Sequence, residues 1–322
     1  MAQDAQHEKL PPLDLRRLRD LDLSEPPGQG QPAHIASASG IAKRGDFVYV
    51  VGDDLLQVGV FELAGGGAGV ARPVFAGTLP DDARDRSKEK PDLEGLTALP
   101  PVDNEPNGGL LGLGSGSDRD RDRGFFWSFA ADGSLEGDPR TIELRPVYDV
   151  MREELGSAIN IEGAAVVGDR LWLFHRANKG RAPNTVAEFE LGDLSRTLHE
   201  DLVIDPNELA DIRGYELGEL DGVPLCFSDA TTLTEELVCF TASAEDDDGK
   251  ICGSVVGTIG EDGTVRRLRT IDPRWKVEGV HATIDTGVID FLFICDQDDP
   301  DTPSPLLSAT MPIERELDES RA

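Results

Sequence analysis

Three times in this chain a glutamate followed directly by glycine heads an apolar run: Glu94-Gly95 in PDLEGLTAL, Glu162-Gly163 in NIEGAAVV and Glu278-Gly279 in KVEGVHATI. Two further segments fit the same frame with another residue in the glutamate slot. They are Ser39-Gly40 in SASGIA and Arg213-Gly214 in DIRGYELG. A short pattern that returns five times, roughly every 50 to 70 residues, marks a repeat architecture.

Between the heads the apolar runs are short and punctuated by Gly, Asp, Pro and Asn, as in DFVYVVGDD, GDRLWLFHRANKG and VIDFLFICDQDD. Such runs read as strands of ~5–7 residues separated by turns. The best helical candidate is PVYDVMREELG at 146–156. Each X-Gly strand is followed by a second apolar strand that ends in polar residues. A four-stranded blade with generous loops fits the period. The expected fold class is therefore all-β: a β-propeller of five four-stranded blades, or six if 213–277 holds two.

The last repeat has room for three strands, at 279–284, 288–295 and 305–312. The alternating segment PPLDLRRLRDLDL at 11–23 can supply the fourth. That arrangement closes the ring with an N-terminal strand and removes a sheet edge. Residues 11–312 are expected to form one propeller domain, with disordered ends at 1–10 and 313–322. Glu136-Gly137 is followed by no apolar strand and reads as a turn. The charged stretches 81–91 and 118–123 read as loops.

The formal net charge of -31, from 62 acidic and 31 basic residues, argues against nucleic acid or an anionic membrane as partner. It suits cation binding, and equally a merely solvated acidic surface. Cys226, Cys239, Cys252 and Cys295 lack metal-site spacing and sit in or beside apolar stretches, so they read as buried free thiols. There is no secretory-signal pattern and no apolar run of about 18 residues. A cytoplasmic monomer is the expectation.

Consecutive strands are antiparallel, so first-strand starts and second-strand ends meet at one face. That mouth is expected to collect Ser39, Glu94, Glu162, Arg213 and Glu278 from first strands. From second strands it should gather Asp53, Asp54, Ser115, Ser117, His175, Arg176, Asn178, Asp229, Asp296 and Asp298. Crowded carboxylates must be protonated, bridged by a cation or neutralised by arginine. A hard ion such as Ca²⁺ suits an all-oxygen set. Arg176 and Arg213 beside a cation would suit a small anionic ligand, with Asn178, Ser115 and Ser117 as further substrate contacts.

A structural reading stands beside this one: Glu-Gly heads can simply hold the ring, with glycine permitting close approach at a crowded axis. Two carboxyls flanking a bond are also the basis of glycoside hydrolysis. Of the three tryptophans that could serve as sugar platforms, Trp127 and Trp172 lie inside strand patterns and Trp275 does not. The Gly114–Ser117 run lacks the spacing of a nucleophile elbow. His175 and His281 read as core or rim residues.

The ordered set KPDLEGLTAL, LLGLGSGS, NIEGAAV, LFHRAN, YELGELDGVPLCFSDA, KVEGV and CDQDDP runs from about Ser39 to Leu307. It resembles a family of uncharacterised bacterial β-propeller proteins. The Asp-x-Glu-Gly heads are similar to those of phytase-like and esterase-like propellers. This resemblance implies a channel Ca²⁺ held by Glu94, Glu162, Asp229 and Glu278. The chain departs from lactonase propellers in lacking a Glu-Gly-Pro head and a catalytic His dyad. The expected activity is divalent-cation-dependent hydrolysis of a small phosphoester, ester or lactone, with Glu162 and Glu278 catalytic. The alternatives are a non-catalytic ligand- or protein-binding propeller and a two-carboxylate glycoside hydrolase.

Overall fold

The computed structural model describes residues 10–177, 183–191, 202–246, 248–297 and 299–313. Of the two expected disordered ends, all but Leu10 and Ile313 lie outside the described residues. The chain forms β1 (Arg16–Asp20), then blade 1 from β2 (Ala38–Arg44), β3 (Phe47–Gly52), β4 (Gln57–Glu62) and β5 (Val70–Pro73). A short helix, α1 (Ala83–Glu89), leads into blade 2, made of β6 (Leu93–Leu99), β7 (Gly109–Gly114), β8 (Arg123–Ser128) and β9 (Arg140–Glu143). Helix α2 (Arg145–Leu155) precedes blade 3, made of β10 (Ile161–Val167), β11 (Arg170–His175), β12 (Asn184–Glu190) and β13 (Leu209–Tyr215).

Blade 4 has a small extra strand, β14 (Glu219–Leu220), ahead of β15 (Val223–Thr234), β16 (Leu237–Glu245), β17 (Ile251–Gly260) and β18 (Val265–Thr270). Blade 5 has β19 (Val277–Asp285), β20 (Val288–Cys295) and β21 (Pro305–Pro312), and β1 completes it by pairing antiparallel with β21. The propeller is five-bladed and closed by its N-terminal strand, as the repeat count requires. Among the described residues no helix is long and apolar enough to cross a membrane.

The innermost strands β2, β6, β10, β15 and β19 contact one another in cyclic order and form the channel wall. Alternating apolar residues fill the spaces between blades. Phe125, Trp127, Tyr49 and Phe129 pack between blades 1 and 2, and Trp172, Phe174, Phe227 and Phe240 between blades 3 and 4. Trp127 and Trp172 are thus core residues, and Trp275 packs against the core of blades 4 and 5.

Helix α2 begins with a proline in its first turn and ends at Gly156, whose φ of 60° needs a residue without a Cβ. Its Val147, Tyr148 and Met151 share one face and are buried between blades 2 and 3. The Tyr148 hydroxyl donates to the Gly114 carbonyl at 2.7 Å and so braces the end of β7.

Two placements differ from the sequence reading. Arg213-Gly214 lies on β13, the outermost strand of blade 3, not at the head of a first strand. The first strand of blade 4 is β15, whose equivalent residues are Ser228 and Asp229. Arg-Gly matches the dipeptide frame but not its environment: a Cβ on Gly214 would meet nothing closer than 3.5 Å.

Candidate functional site

Each innermost strand carries a β-bulge at the same place. The pairing register slips between Ala38 and Gly40, Leu93 and Gly95, Ile161 and Gly163, Phe227 and Asp229, and Val277 and Gly279. The bulged residues are Ser39, Glu94, Glu162, Ser228 and Glu278. A bulge re-aims one side chain out of the alternating pattern, which is why such residues cluster at functional rims. At Gly40, Gly163 and Gly279 the glycine after it is demanded by close approach. A Cβ on Gly40 would collide with the Glu94 carbonyl, and one on Gly279 would stand 2.9 Å from the Ser39 carbonyl oxygen.

The three glutamates therefore come from blades 2, 3 and 5 at equivalent heights. Burial pushes the Glu94 carboxyl well above its ordinary range, and Glu162, Asp92 and Asp53 push it further. Burial also raises Glu162, to about 8, with Glu278, Asp92 and Glu245 adding to the shift and Arg176 opposing it. Glu278 is raised mainly by burial, against the pull of Arg176 and Lys276. These groups are close enough to feel one another's charge, as a shared mouth requires.

Basic residues sit outside the glutamates and pair sideways. Lys90 Nζ is 2.7 Å from Asp92 Oδ1 and also contacts Asp53, bridging blades 1 and 2. Burial alone would lower the Lys90 pKa, but Asp53 and Asp92 reverse that and raise it. Arg176 Nη1 stands 3.8 Å from Glu162 Oε1, and its Nη2 donates to Glu245 Oε2 at 2.8 Å. Lys276 Nζ lies 3.5 Å from Glu278 Oε1 and donates to Asp296 Oδ2 at 3.0 Å. Glu94 makes no such pair among the described residues. Its nearest acidic neighbours are Asp53 and Asp92, which offer carboxylate oxygens within 4.8 Å of one another and of its own.

Asp92 is the most heavily bonded acid of the mouth. It accepts from Arg121 Nη1 at 2.8 Å, from Ser117 Oγ at 3.1 Å and from Ser115 Oγ. Burial would raise its pKa, but Lys90, Ser115 and Arg121 together lower it. Its φ of 55° is unusual for a side-chain-bearing residue, and strained backbone of this kind gathers at sites held by their surroundings. The holding bonds are visible. Asp92 N donates to Asp53 O at 2.9 Å, Ser115 N to Asp92 O at 2.8 Å, and Ile161 N to Ser115 O at 2.7 Å, lacing three blades together.

The sequence-derived candidates divide cleanly. Glu94, Glu162, Glu278, Arg176, Ser115 and Ser117 come together at the mouth, with Asp53, Asp54 and Asp296 on its rim. Arg213 does not: its Nε binds Asp211 Oδ2 at 2.8 Å and its Nη2 lies 3.3 Å from the buried Glu188. Asp229 is on β15 rather than at a second-strand end, and its oxygens accept backbone amides of Ala230 at 2.7 Å and Val280 at 2.8 Å. Asn178 and Asp298 lie outside the described residues. His175 is buried, accepts from Asn160 N through Nδ1 at 2.9 Å, and is pushed down to about 4 by burial.

Sequence reasoning missed Lys90, Arg121, Glu245 and Lys276. Lys90 and Lys276 were within reach, four and two residues ahead of their glutamates. Glu245 comes from the run-on of β16 beyond the height at which other second strands end, which no short motif announces. Beside the glutamates, a cleft of about 210 Å³ opens between Ser37, Asp53, Asp54, Arg86, Lys90 and Asp296. A larger groove of about 750 Å³ is lined by Phe47, Val60, Val70 and Trp127, near the opposite ends of blades 1 and 2.

The profile of a family of unknown function, DUF6929, matches residues 34–311, and the chain belongs to that family. No curated protein matches the sequence. Among solved structures, the chain is similar to the catalytic domain of a Coprinopsis cinerea GH62 α-L-arabinofuranosidase. The identity is 10%, over 92% of this chain and 96% of that one, with a TM-score of 0.51. An exo-β-1,3-galactanase from Phanerochaete chrysosporium aligns at 10% identity over 93% of this chain and 64% of its own, with a TM-score of 0.49. A luciferin-regenerating enzyme aligns at 13% identity over 85% and 77%, with a TM-score of 0.40. At these identities the likeness is one of fold.

Proposed function

We propose that this member of the family is a hydrolase whose channel mouth holds a divalent cation on Glu94, Glu162 and Glu278. One observation carries the reading: three glutamates occupy the same bulged position in three blades, and Glu94 has no basic partner among the described residues. Arg176 and Lys276 are each shared between one mouth glutamate and one outer acid, and Lys90 is held between Asp53 and Asp92, so the mouth keeps a surplus of carboxylate centred on Glu94. An all-oxygen set of this kind suits Ca²⁺ or a similar hard ion. When bound, such an ion would polarise the oxygen of an ester, lactone or phosphoester.

The chain's own residues would do the rest. Glu162, raised to about 8 by burial, holds a proton near neutral pH and would give it up to serve as a ligand. Arg176, anchored by Glu245, stands beside Glu162 and can orient a polar group of the substrate. Ser115 and Ser117, tied to Asp92, border the same mouth. The one Asp-x-Glu-Gly head, Asp92–Gly95, resembles those of phytase-like and esterase-like propellers, which favours this substrate range. With Arg213 on an outer strand and Arg176 already paired, a neutral ester or lactone fits better than a multiply charged anion.

Calorimetric titration with Ca²⁺, Mn²⁺ and Mg²⁺, alongside hydrolysis of nitrophenyl ester, lactone and phosphoester panels, tests the proposal. Binding abolished by Glu94→Gln and Glu162→Gln is expected. Absence of any divalent binding sinks the cation reading.

A second reading has its own support. A carboxyl held near 8, beside further carboxyls, is what a metal-free two-carboxyl glycoside hydrolase uses as general acid. A protein of similar fold is an α-L-arabinofuranosidase, which is consistent with glycoside hydrolysis on such a scaffold. Hydrolysis of aryl glycosides that survives chelator and is lost in Glu162→Gln would favour it.

A further inference from the structure

In the position just after the bulge, four blades carry glycine: Gly40, Gly95, Gly163 and Gly279. Blade 4 alone carries a side chain there, Asp229, and that side chain is fully buried. At Gly40, Gly163 and Gly279 neighbouring backbone stands within 3 Å of where a Cβ would lie, so a side chain is admitted at this position in blade 4 and not at those three. One carboxylate oxygen accepts the amide of Ala230 on its own strand at 2.7 Å. The other accepts the amide of Val280 on blade 5 at 2.8 Å. Burial raises the pKa of this carboxyl well above its ordinary range, and the amides of Val280, Ala230 and Ile41, the last on blade 1, oppose the rise. On the other side Gly163 of blade 3 packs onto its backbone, where a Cβ would lie 3.0 Å from Asp229 Cα.

The chain positions tied together are telling. Gly163 follows Glu162, Val280 comes two residues after Glu278, and Ile41 comes two after Ser39. Asp229 therefore touches the strands that carry two of the three mouth glutamates, blade 3 through its backbone and blade 5 through its side chain. Backbone amides aimed at a carboxylate form short, strong bonds, and a buried carboxylate without them would not be kept there.

We propose that Asp229 is a positioning residue that closes the channel floor and fixes the separation of the Glu162 and Glu278 heads, and so sets the size of ion the mouth accepts. It rests on the cation reading for its last clause only. Asparagine keeps one acceptor oxygen but turns an NH₂ group toward an amide donor, so Asp229→Asn should spread the heads. Asp229→Gly restores the pattern of the other blades and leaves the Val280 amide without its acceptor.

The test is calorimetric titration of wild type, Asp229→Asn and Asp229→Gly with CaCl₂ and with MgCl₂, together with crystal structures of the folded variants. Expected is a loss of Ca²⁺ affinity of at least about tenfold and an altered Ca²⁺/Mg²⁺ ratio, with the Glu162 and Glu278 carboxyls further apart. A merely structural residue would lower the melting temperature without changing that ratio. Variants that keep both the ratio and the carboxyl separation overturn the proposal. If wild type binds neither ion, the cation reading falls, and the carboxyl separation alone decides the positioning role. Should both variants fail to fold, amide exchange in the wild-type protein decides. A Val280 amide among the slowest to exchange supports the proposal, and one exchanging like an exposed strand edge overturns it.

Discussion

A Cβ built on Gly163 would stand 2.8 Å from the carbonyl carbon of Asp229, so blades 3 and 4 meet at the axis backbone to backbone. Gly40 is equally constrained by the Glu94 carbonyl. Gly163→Ala and Gly40→Ala should each cost about 2 kcal/mol or more in urea denaturation, because the strands must part to admit a methyl group. Gly214→Ala, with the same dipeptide context but open surroundings, should cost less than about 0.5 kcal/mol.

Lys90 bridges Asp53 and Asp92 from a largely buried position. Lys90→Met leaves two buried carboxylates without their ammonium and should destabilise the fold by about 3 kcal/mol. Millimolar Ca²⁺ should recover part of that loss in the variant's melting temperature.

Glu94 is the mouth acid with the least compensation. Glu94→Gln removes a charge that Glu162, Asp92 and Asp53 all oppose. Stability at pH 8 should rise by about 1 kcal/mol while cation affinity falls at least tenfold. Thermal unfolding and calorimetry on one preparation check both halves.

The pH profile follows from signs. Glu162 is raised from 4.5 to about 8, so the folded state holds its proton longer than the unfolded chain does. Its contribution is present at low pH and is lost as pH rises through 8. His175 and His281 are lowered from 6.5 to about 4, so their contribution is lost as pH falls from 6.5 toward 4. Stability without added cation should therefore fall by about 2 kcal/mol from Glu162 alone between pH 6.5 and 8, and the raised Glu94 and Glu278 carboxyls act in the same direction. Saturating Ca²⁺ or the Glu162→Gln change should flatten the alkaline side, measured by denaturant midpoints across pH.

The blade count and the ring closure were legible because both rest on patterns the backbone enforces. Glycine recurs where strands touch at the axis, and an alternating segment was left over for the open edge. The fourth head was illegible for the same reason. There the glycine is replaced by Asp229, so a search for X-Gly finds Arg213-Gly214 instead. Glu94, Glu162 and Glu278 were readable from the dipeptide alone. Of their basic counterweights Arg176 was readable at the end of its strand, whereas Lys90 and Lys276 fall outside the X-Gly frame and Glu245 reaches Arg176 from the next blade.

Closure by β1 also dictates an order of events. Arg16 pairs with Ser308, so the partners are separated by almost the whole chain. At roughly 5–20 residues per second, a ribosome needs about 15–60 s to deliver the second after the first. Until then β1 has no β21 to pair with and the innermost strands cannot form a complete circle. Loop closure over such a distance comes late and slowly. The mouth glutamates, drawn from blades 2, 3 and 5, are thus brought together only in the finished chain, and a truncated product would hold the carboxylates but not the site.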